Sequence, residues 1–148
     1  MAVLQVEILT AERTVYSGGA TMVLAPGVEG QLGILPNHAS LMTLLQAGEL
    51  LLRTDSEEIF MAVTGGFLEV AANRVTILAD ACERAEEIDE ERAAEARRRA
   101  QERLMSRGGG VDLERAVASL RRAEVRLKAA RRKRGAARVS EKTGGPGG

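Results

Sequence analysis

The sequence has few of the residues from which catalytic, metal-binding and membrane-spanning structures are built. Its 148 residues include one cysteine, one histidine, one tyrosine and two phenylalanines, and no tryptophan. The single cysteine, Cys82, excludes an internal disulfide, and with the single histidine, His38, it cannot complete the usual four-ligand zinc site. No apolar run approaches the ~20 residues that span a bilayer, and the first residues lack a signal-peptide pattern. We therefore expect a cytosolic protein with no required cofactor or metal.

Charge is balanced over the whole chain but not along it. The 21 basic and 21 acidic residues cancel, which gives no general attraction to nucleic acids or membranes. Acidic residues concentrate in 83–91, whereas 111–134 carries nine Lys or Arg against three acids. The scarcity of aromatic rings leaves almost no stacking surface for single-stranded nucleic acid. A nucleic-acid-binding adaptor that uses the basic helix on phosphates stays open as an alternative function.

The first half of the chain has the two-residue period of β-strands. In "VLQVEIL" the side chains of Leu4, Val6 and Ile8 fall on one face. Six more pieces of this kind follow, separated by Gly, Pro, Asn or Asp: "RTVYSG", "TMVLAPG", "GELLLRT", "EIFMAVTGG", "FLEVAAN" and "RVTILAD". Short strands at this spacing indicate a β-sandwich or barrel, and "AANRV" predicts a hairpin turn between the last two.

After Ala81 the composition changes to helix-forming Ala, Glu and Arg. Asp89 is predicted to cap a first helix that ends near Ser106, and Asp112 to cap a second helix after the "RGGG" break. The second helix carries leucine every seven residues with alanine between, at Leu113, Leu120 and Leu127 and at Ala116, Ala123 and Ala130. This a/d seam predicts an antiparallel helical hairpin.

The predicted seam is narrow, which limits the stability of the hairpin. A buried leucine contributes about 1.5–3 kcal/mol and an alanine far less, and isolated helices of this length are marginal. We expect a hairpin that docks weakly and can open. The predicted organisation is a β-sandwich over 1–84, a helical hairpin over 85–134, and a disordered, basic and Gly-rich tail over 135–148.

No catalytic constellation is visible in the sequence. It lacks a G-x-x-x-x-G-K-[ST] phosphate loop and the G-x-G-x-x-G, C-x-x-C and H-E-x-x-H motifs. A Cys82–His38 dyad is formally open, but the acidic residues near Cys82 disfavour a thiolate. For His38, "PNH" predicts a turn in which the imidazole bonds backbone groups. The sequence predicts no catalytic residue.

Two longer stretches, "GQLGILPNHASLMTLLQAGEL" and "VTGGFLEVAANRVTILADACERAEEID", resemble the epsilon subunit family of the rotary proton-driven ATP synthase. The likeness runs in order from residue 3 to about residue 130, and it implies a sandwich of about ten strands followed by a helical hairpin. The chain departs from the family pattern at Ser40, where proline is usual, and at Gln31, which is often acidic. Its basic extension after Lys133 is also longer than in most members.

The resemblance implies a non-catalytic subunit of the central stalk, peripheral to the cytoplasmic face of the cell membrane. Its sandwich would bind the gamma subunit and the ring of c subunits, and would couple ring rotation to the catalytic head. The resemblance assigns Gln31, Leu32 and His38 to this interface, and Gln31 carries no charge for such a contact. Ile34 is predicted to lie in the core, whereas Leu32 is either core or interface.

The resemblance also gives the hairpin a regulatory function. In the family the hairpin folds against the sandwich, or extends along gamma into the alpha/beta head, where it blocks ATP hydrolysis. Four basic residues of the second helix are implied to contact an acidic loop of the beta subunit: Arg115, Arg121, Arg122 and Lys128. The alternative is that these side chains form an ordinary solvated face.

A shorter likeness concerns ATP as a regulatory ligand. "IDEERA" at 88–93 matches the I-D-x-x-R-A motif through which some bacterial epsilon subunits bind ATP on the folded hairpin. The implied ATP-binding residues are Glu83, Ile88, Asp89, Arg92, Ala93, Arg99, Arg122 and Arg126. Guanidinium groups suit phosphates, and a carboxylate can accept from the adenine amine or the ribose hydroxyls. The alternative is that the motif only marks the start of a helix.

Overall fold

Alternating apolar and polar side chains make the first part of the chain a β-structure. The computed structural model describes residues 2–105 and 110–143, and for 110–112 and 132–143 it describes the backbone alone. The chain divides into two compact units, Met1–Arg84 and Ala85–Gly148. The strands of the first unit are β1 (Leu4–Leu9), β2 (Thr14–Ala20), β3 (Met22–Gly27), β4 (Gly30–Ile34), β5 (Leu41–Leu45), β6 (Gly48–Arg53), β7 (Glu58–Val63), β8 (Gly66–Ala71), β9 (Arg74–Ala79) and β10 (Cys82–Arg84).

These strands form one continuous sheet that closes over a single core, so that the predicted β-sandwich is confirmed. The strand order is β10-β7-β6-β3-β5-β8-β9-β1-β2, and β4 pairs with β3. Pairing is antiparallel except between β1 and β9. The two halves of the sheet join where β3 and β5 share one paired position, Gly27 with Leu45. Among the described residues, every fully buried side chain is apolar.

The apolar stretch before His38 is a strand. β4 turns back on β3 directly after Val28 and Glu29, with Gly30 opposite Gly27. Ile34 at its end is fully buried, which confirms the prediction that this residue lies in the core. Leu32 is half-buried. The alternation in this segment is interrupted by glycine, and periodicity alone therefore predicts a loop here.

The Gly65–Gly66 pair bends the chain between β7 and β8 in a way that needs glycine. Both residues have positive φ, +136° and +139°. A Cβ on Gly66 would collide with the carbonyl oxygen of Leu78 on the neighbouring strand β9. Because the Asp80 N–H also donates to the carbonyl of Gly65 (3.0 Å), this close approach fixes where β8 and β9 begin to pair.

The second unit is helical. A short 3₁₀ turn, Ala85–Glu87, precedes α1 (Glu90–Met105) and α2 (Gly110–Thr143). The predicted start of the first helix after Asp89 is confirmed. The Asp112 cap is wrong, because α2 already includes residues 110 and 111. In the described residues, neither helix is long and apolar enough to cross a membrane.

Two further expectations for the second helix differ from the structure. Its backbone is helical through Thr143, so the disorder predicted from residue 135 does not begin before that point; residues 144–148 lie outside the described residues. Segment 136–143 contains no proline and is rich in Ala, Arg, Glu and Lys, which favours helix. The predicted seam also fails at Leu113, which is 51% exposed, whereas Leu127 is 2% exposed.

Candidate functional site

The histidine of the β4–β5 loop is held by a tight turn. The His38 N–H donates to the Leu35 carbonyl (3.2 Å), and Asn37 has a φ of +64°. Proline at the second position and a left-handed residue at the third are typical of a type II turn. His38 Nδ1 lies 2.7 Å from the Ala39 carbonyl oxygen, and because a carbonyl only accepts, Nδ1 carries the proton. The predicted turn, with the imidazole bonded to a backbone carbonyl, is confirmed.

The structure does not bring Cys82 and His38 together. In the described part of the chain, His38 hydrogen-bonds to Leu35 and Ala39. The thiol of Cys82 is buried and lies 3.7 Å from the Sδ atom of Met61. The dyad that the sequence left formally open is therefore not formed.

The predicted interface residues lie at the two ends of β4. Gln31 is exposed and Leu32 half-buried, both near the beginning of the strand. His38 follows the other end, and at ~3.4 Å per residue the strand separates Gln31 from the turn by about 10 Å. The three residues therefore do not form one cluster, and the fully buried Ile34 lies between Leu32 and His38 in the chain.

A row of four exposed or half-buried apolar side chains crosses the outer face of the sheet, and the sequence did not predict it. Leu44 pairs with Phe67, Phe67 with Leu78, and Leu78 with Leu9, so that one side chain from each of β5, β8, β9 and β1 stands in line. Leu44 is 56% and Leu78 52% exposed. We call these four residues the outer row. Its members are far apart in the sequence, and only strand register brings them together. The outward-facing leucines of β5 and β9 were the one sequence feature that could have indicated this surface.

Asp89 caps helix α1. Its Oδ1 atom accepts a hydrogen bond from the Arg92 N–H (3.2 Å), and its carbonyl accepts the first helical bond from the Ala93 N–H (3.0 Å). The Nε atom of Arg92 lies 3.9 Å from Oδ2 of the same carboxylate. Asp89 is thus the N-cap and Arg92 the third helical residue, which is the spacing of a capping interaction.

The two apolar members of the I-D-x-x-R-A motif also fit a helix start. Ile88 precedes the cap and Ala93 is the fourth helical residue, and both are buried. These are the two positions of a hydrophobic staple, which fixes the angle at which the chain enters a helix. The side chains of Ile88 and Ala93 are therefore packing residues of the helical unit. All four fixed positions of the motif have a structural role at the start of α1.

One ion pair and one shared groove define the register of the antiparallel helices. The Nε atom of Arg131 on α2 lies 3.5 Å from Oε1 of Glu90 at the start of α1. Arg97, two turns further along α1, lines the same groove as Glu124 and Lys128 on α2. In this register Arg99 is level with residue 122. Met105 is level with about residue 116, so Leu113 projects beyond the end of α1, which explains its exposure.

Four of the predicted ATP-binding arginines share one side of this hairpin. Each directly precedes a buried residue of the seam, and in antiparallel helices the positions that precede the seam lie on the same side. The pairs are Arg92 before Ala93, Arg99 before Ala100, Arg122 before Ala123, and Arg126 before Leu127. We call this surface the arginine side. Arg122 donates to the Ser119 hydroxyl (3.1 Å), and the Nε atom of Arg126 is buried.

Glu83 belongs to the first unit, unlike the other predicted ATP-binding residues. It lies on β10 and lines a cavity of about 210 Å³ together with Glu12 and Asp80. Arg13 lines the same cavity, so the wall carries charge of both signs. The contact of Glu83 with ATP therefore stays a prediction.

The four predicted inhibitory residues are all exposed, but they do not share one face. Arg115 and Arg122 precede the buried Ala116 and Ala123 and lie on the arginine side. Lys128 lines a groove of about 420 Å³ on the opposite side, with Arg97 and Arg131. From the 100° step of the helix, Arg121 points away from the seam. Positive charge thus surrounds α2.

The comparisons with known proteins decide the family. The model of the ATP synthase delta/epsilon chain β-sandwich domain matches residues 3–85, and that of the delta/epsilon chain long α-helix domain matches residues 86–131. The chain belongs to the ATP synthase delta/epsilon chain family. Within the family it is an epsilon chain, a non-catalytic subunit of ATP synthase, because its curated relatives carry that name at high identity.

Three relatives illustrate the likeness. The ATP synthase epsilon chain of Dehalococcoides mccartyi is 52% identical over 135 residues, covering 90% of this chain and 96% of the relative. That of Herpetosiphon aurantiacus is 52% identical over 131 residues, covering 88% and 96%. That of Moorella thermoacetica is 53% identical over 131 residues, covering 88% and 98%. None of these comparisons supports the nucleic-acid-binding alternative.

Two solved structures share the fold at low sequence identity. A chain of the Euglena gracilis mitochondrial ATP synthase, in an OSCP/F1/c-ring structure, has a TM-score of 0.77 at 22% identity and covers 88% of this chain and 82% of its own. A chain of the Tetrahymena thermophila mitochondrial ATP synthase central stalk and c-ring has a TM-score of 0.62 at 18% identity, covering 85% and 95%. The predicted order of sandwich and then helices is confirmed.

Proposed function

We propose that the sandwich couples rotation of the c-ring to the catalytic head, and that the helical hairpin regulates ATP hydrolysis. The sandwich binds the gamma subunit through the outer row and the c-ring through Gln31, Leu32 and His38. These contacts hold the chain at the cytoplasmic face of the membrane as a peripheral subunit. ATP, when bound on the arginine side, stabilises the folded hairpin.

The outer row is the observation that carries the coupling function. Leu44 and Leu78 expose about half of their surface, and strand pairing places them in line with Phe67 on one face of the sheet. Contiguous exposed apolar side chains mark protein–protein contacts more often than chance surface residues do. A rigid sheet face also loses little conformational freedom on binding, which suits a subunit that must transmit torque.

Charge introduced into the outer row tests this function. We expect Leu44→Asp with Leu78→Asp to raise the Kd for the gamma subunit at least tenfold, about 1.4 kcal/mol, and to leave the sandwich folded, because both side chains point outward. Val3→Asp, which changes an exposed apolar residue outside the row, is the matched control. The Kd is measured by titration with purified gamma subunit. An unchanged Kd in the double variant would contradict the proposal.

The arginine side carries the nucleotide function. Arg99 and Arg122 are level across the hairpin; on the same side, Arg126 lies about one turn from them and Arg92 about two turns. A polyphosphate that spans both helices binds guanidinium groups of each helix and so joins the helices. At a nucleotide concentration of 100 Kd this linkage contributes about 2.7 kcal/mol to the folded hairpin.

A nucleotide titration with two variants tests the ligand. ATP should raise the Tm of the helical unit in the full chain, and Arg126→Ala should abolish that rise. Arg121→Ala is the control, because Arg121 lies on the same helix but points away from the arginine side. Equal rises in all three chains would contradict the site, as would equal loss in both variants.

A separate experiment tests whether helix α2 inhibits ATP hydrolysis in the alpha/beta head. Arg115 and Arg121 belong to the implied inhibitory contact but not to the nucleotide site. If α2 inhibits by contacting an acidic loop of the beta subunit, Arg115→Glu with Arg121→Glu should raise the ATP hydrolysis rate of the assembled enzyme. An unchanged rate at full incorporation of the subunit would count against the inhibitory contact.

A further inference from the structure

We infer that Asn73 is a positioning residue for the Leu35–His38 turn. The inference rests on the proposed function of that turn as a c-ring contact. Asn73 lies in the β8–β9 hairpin turn, 35 positions after His38, and it belongs to neither the core nor the predicted interface. Its side chain nevertheless joins three separate segments of the sandwich.

Three hydrogen bonds meet at Asn73. Its Oδ1 atom accepts from the Asn37 N–H (2.8 Å), and its Nδ2 atom donates to the Val3 carbonyl (2.8 Å). Its own carbonyl accepts from the Gln5 N–H (3.1 Å). An N–H can only donate and a carbonyl can only accept, so these partners fix the orientation of the side-chain amide. The His38 turn is thereby tied to the end of β8–β9 and to the beginning of β1.

The backbone at this position also restricts which residue can make these bonds. Ala72 and Asn73 have φ of +50° and +59°, the two consecutive left-handed residues of a tight hairpin turn. Asn and Gly adopt this conformation at little cost, and Asn alone of the two has an amide that reaches two partners. Asn37, at the other end of the bond, is left-handed as well. One hydrogen bond thus connects two residues that both have a left-handed backbone conformation.

The hydrogen bond between Asn37 and Asn73 restrains the position of the turn relative to the β8–β9 hairpin. Pro36 and the His38–Leu35 hydrogen bond define the internal shape of the turn, but they do not define where the turn sits. The Asn37–Asn73 bond does so, because it connects the third residue of the turn to a hairpin of the same sheet. Through this bond Asn73 helps to hold the turn that carries the His38 ring, whose Nδ1 is bonded to the Ala39 carbonyl.

Two substitutions separate the bond to Asn37 from the rest of the residue. Asn73→Asp keeps an acceptor for the Asn37 N–H and tolerates the left-handed backbone, but it replaces the donor to Val3 with a carboxylate oxygen that faces the Val3 carbonyl oxygen. Asn73→Gly also tolerates the backbone and loses both side-chain bonds. The two variants therefore differ in the Asn37 bond. Ala72→Gly, in the same turn, removes no side-chain hydrogen bond and is the control.

The measurements are amide hydrogen exchange of Asn37 by NMR in the full chain, and ATP-driven proton pumping per ATP hydrolysed by the reconstituted ATP synthase. We expect Asn73→Gly to speed Asn37 exchange at least tenfold, and we expect both Asn73→Gly and Leu32→Asp to lower pumping. Ala72→Gly should stay near the parental values in both, and Asn73→Asp should remain closer to the parent than Asn73→Gly does. Restoration by Asp is a result that general destabilisation of the hairpin would not give.

The possible failures point to different conclusions. Unchanged Asn37 exchange in Asn73→Gly would overturn the positioning role. If Leu32→Asp lowers pumping but Asn73→Gly does not, the c-ring contact stands and the inference falls. If neither variant changes pumping, the proposed c-ring contact itself is wrong, and the inference falls with it.

Discussion

Replacing Asp89 by alanine tests whether the I-D-x-x-R-A motif is first of all a helix-start motif. The carboxylate accepts a hydrogen bond from the Arg92 N–H (3.2 Å), one of the donors that lack a partner within the first turn of α1. Loss of an aspartate N-cap costs about 0.5–2 kcal/mol. The ion pair with Arg92 is long, at 3.9 Å, and both side chains are largely exposed, so it adds little. We expect Asp89→Ala to destabilise the helical unit by about 1 kcal/mol without any nucleotide.

The assay compares three chains without and with ATP. Thermal unfolding of the helical unit, followed by circular dichroism or by exchange of the α1 amides, gives the free energy of unfolding. Asp89→Asn is the matched variant, because asparagine caps a helix about as well as aspartate but carries no charge. It should retain the stability of the parent without ATP and lose part of the stabilisation by ATP if the carboxylate also contacts the ligand.

The outcomes separate the two roles of Asp89. Equal stability of Asp89→Ala and the parent without nucleotide would refute the capping argument. If ATP stabilises Asp89→Asn as much as the parent, Asp89 acts only as a helix cap. The aspartate of the I-D-x-x-R-A motif would then be no evidence of nucleotide binding.

Two further predictions concern packing, each with a control in the same unit. Leu127→Ala should lower the free energy of unfolding of the hairpin by about 2–5 kcal/mol, whereas Leu113→Ala, at an exposed position, should stay within about 0.5 kcal/mol; denaturant unfolding measures both, and equal effects would refute the register. Gly66→Ala should destabilise the sandwich by at least about 1–3 kcal/mol, because its φ is +139° and a Cβ meets the Leu78 carbonyl. Gly33→Ala, where a Cβ lies 3.5 Å from Leu24 Cδ2, should be tolerated, and comparable Tm losses would contradict the account.

Much of the fold was predictable because local patterns determine it. The two-residue period of β1 and the "AANR" turn, the change of composition after Ala81 and the cap at Asp89 are short-range signals, and the structure contains each of them. β4 was not predictable in this way, because Gly30 and Gly33 interrupt its alternation and pairing with β3 is what makes it a strand. The count of about ten strands came from the family resemblance and not from periodicity.

The candidate site was predictable only in part, because much of it depends on long-range register. The outer row combines side chains from residue 9 to residue 78, and no local pattern connects Leu9 with Leu44. The hydrogen bond between Asn37 and Asn73 likewise joins two turns 36 positions apart. The failure at Leu113 has the same origin: a heptad pattern gives the face of a helix but not the point at which its shorter partner ends.

The central claim is that the sandwich is a stable docking body and the hairpin a marginal element whose closure a nucleotide favours. Amide hydrogen exchange over the whole chain, with and without ATP, measures this most directly. The account predicts that amides of α1 and of α2 up to Arg131 exchange much faster than those of β1, β8 and β9, and that ATP slows the helical amides alone. Helices as protected as the core strands, and unchanged by ATP, would contradict it.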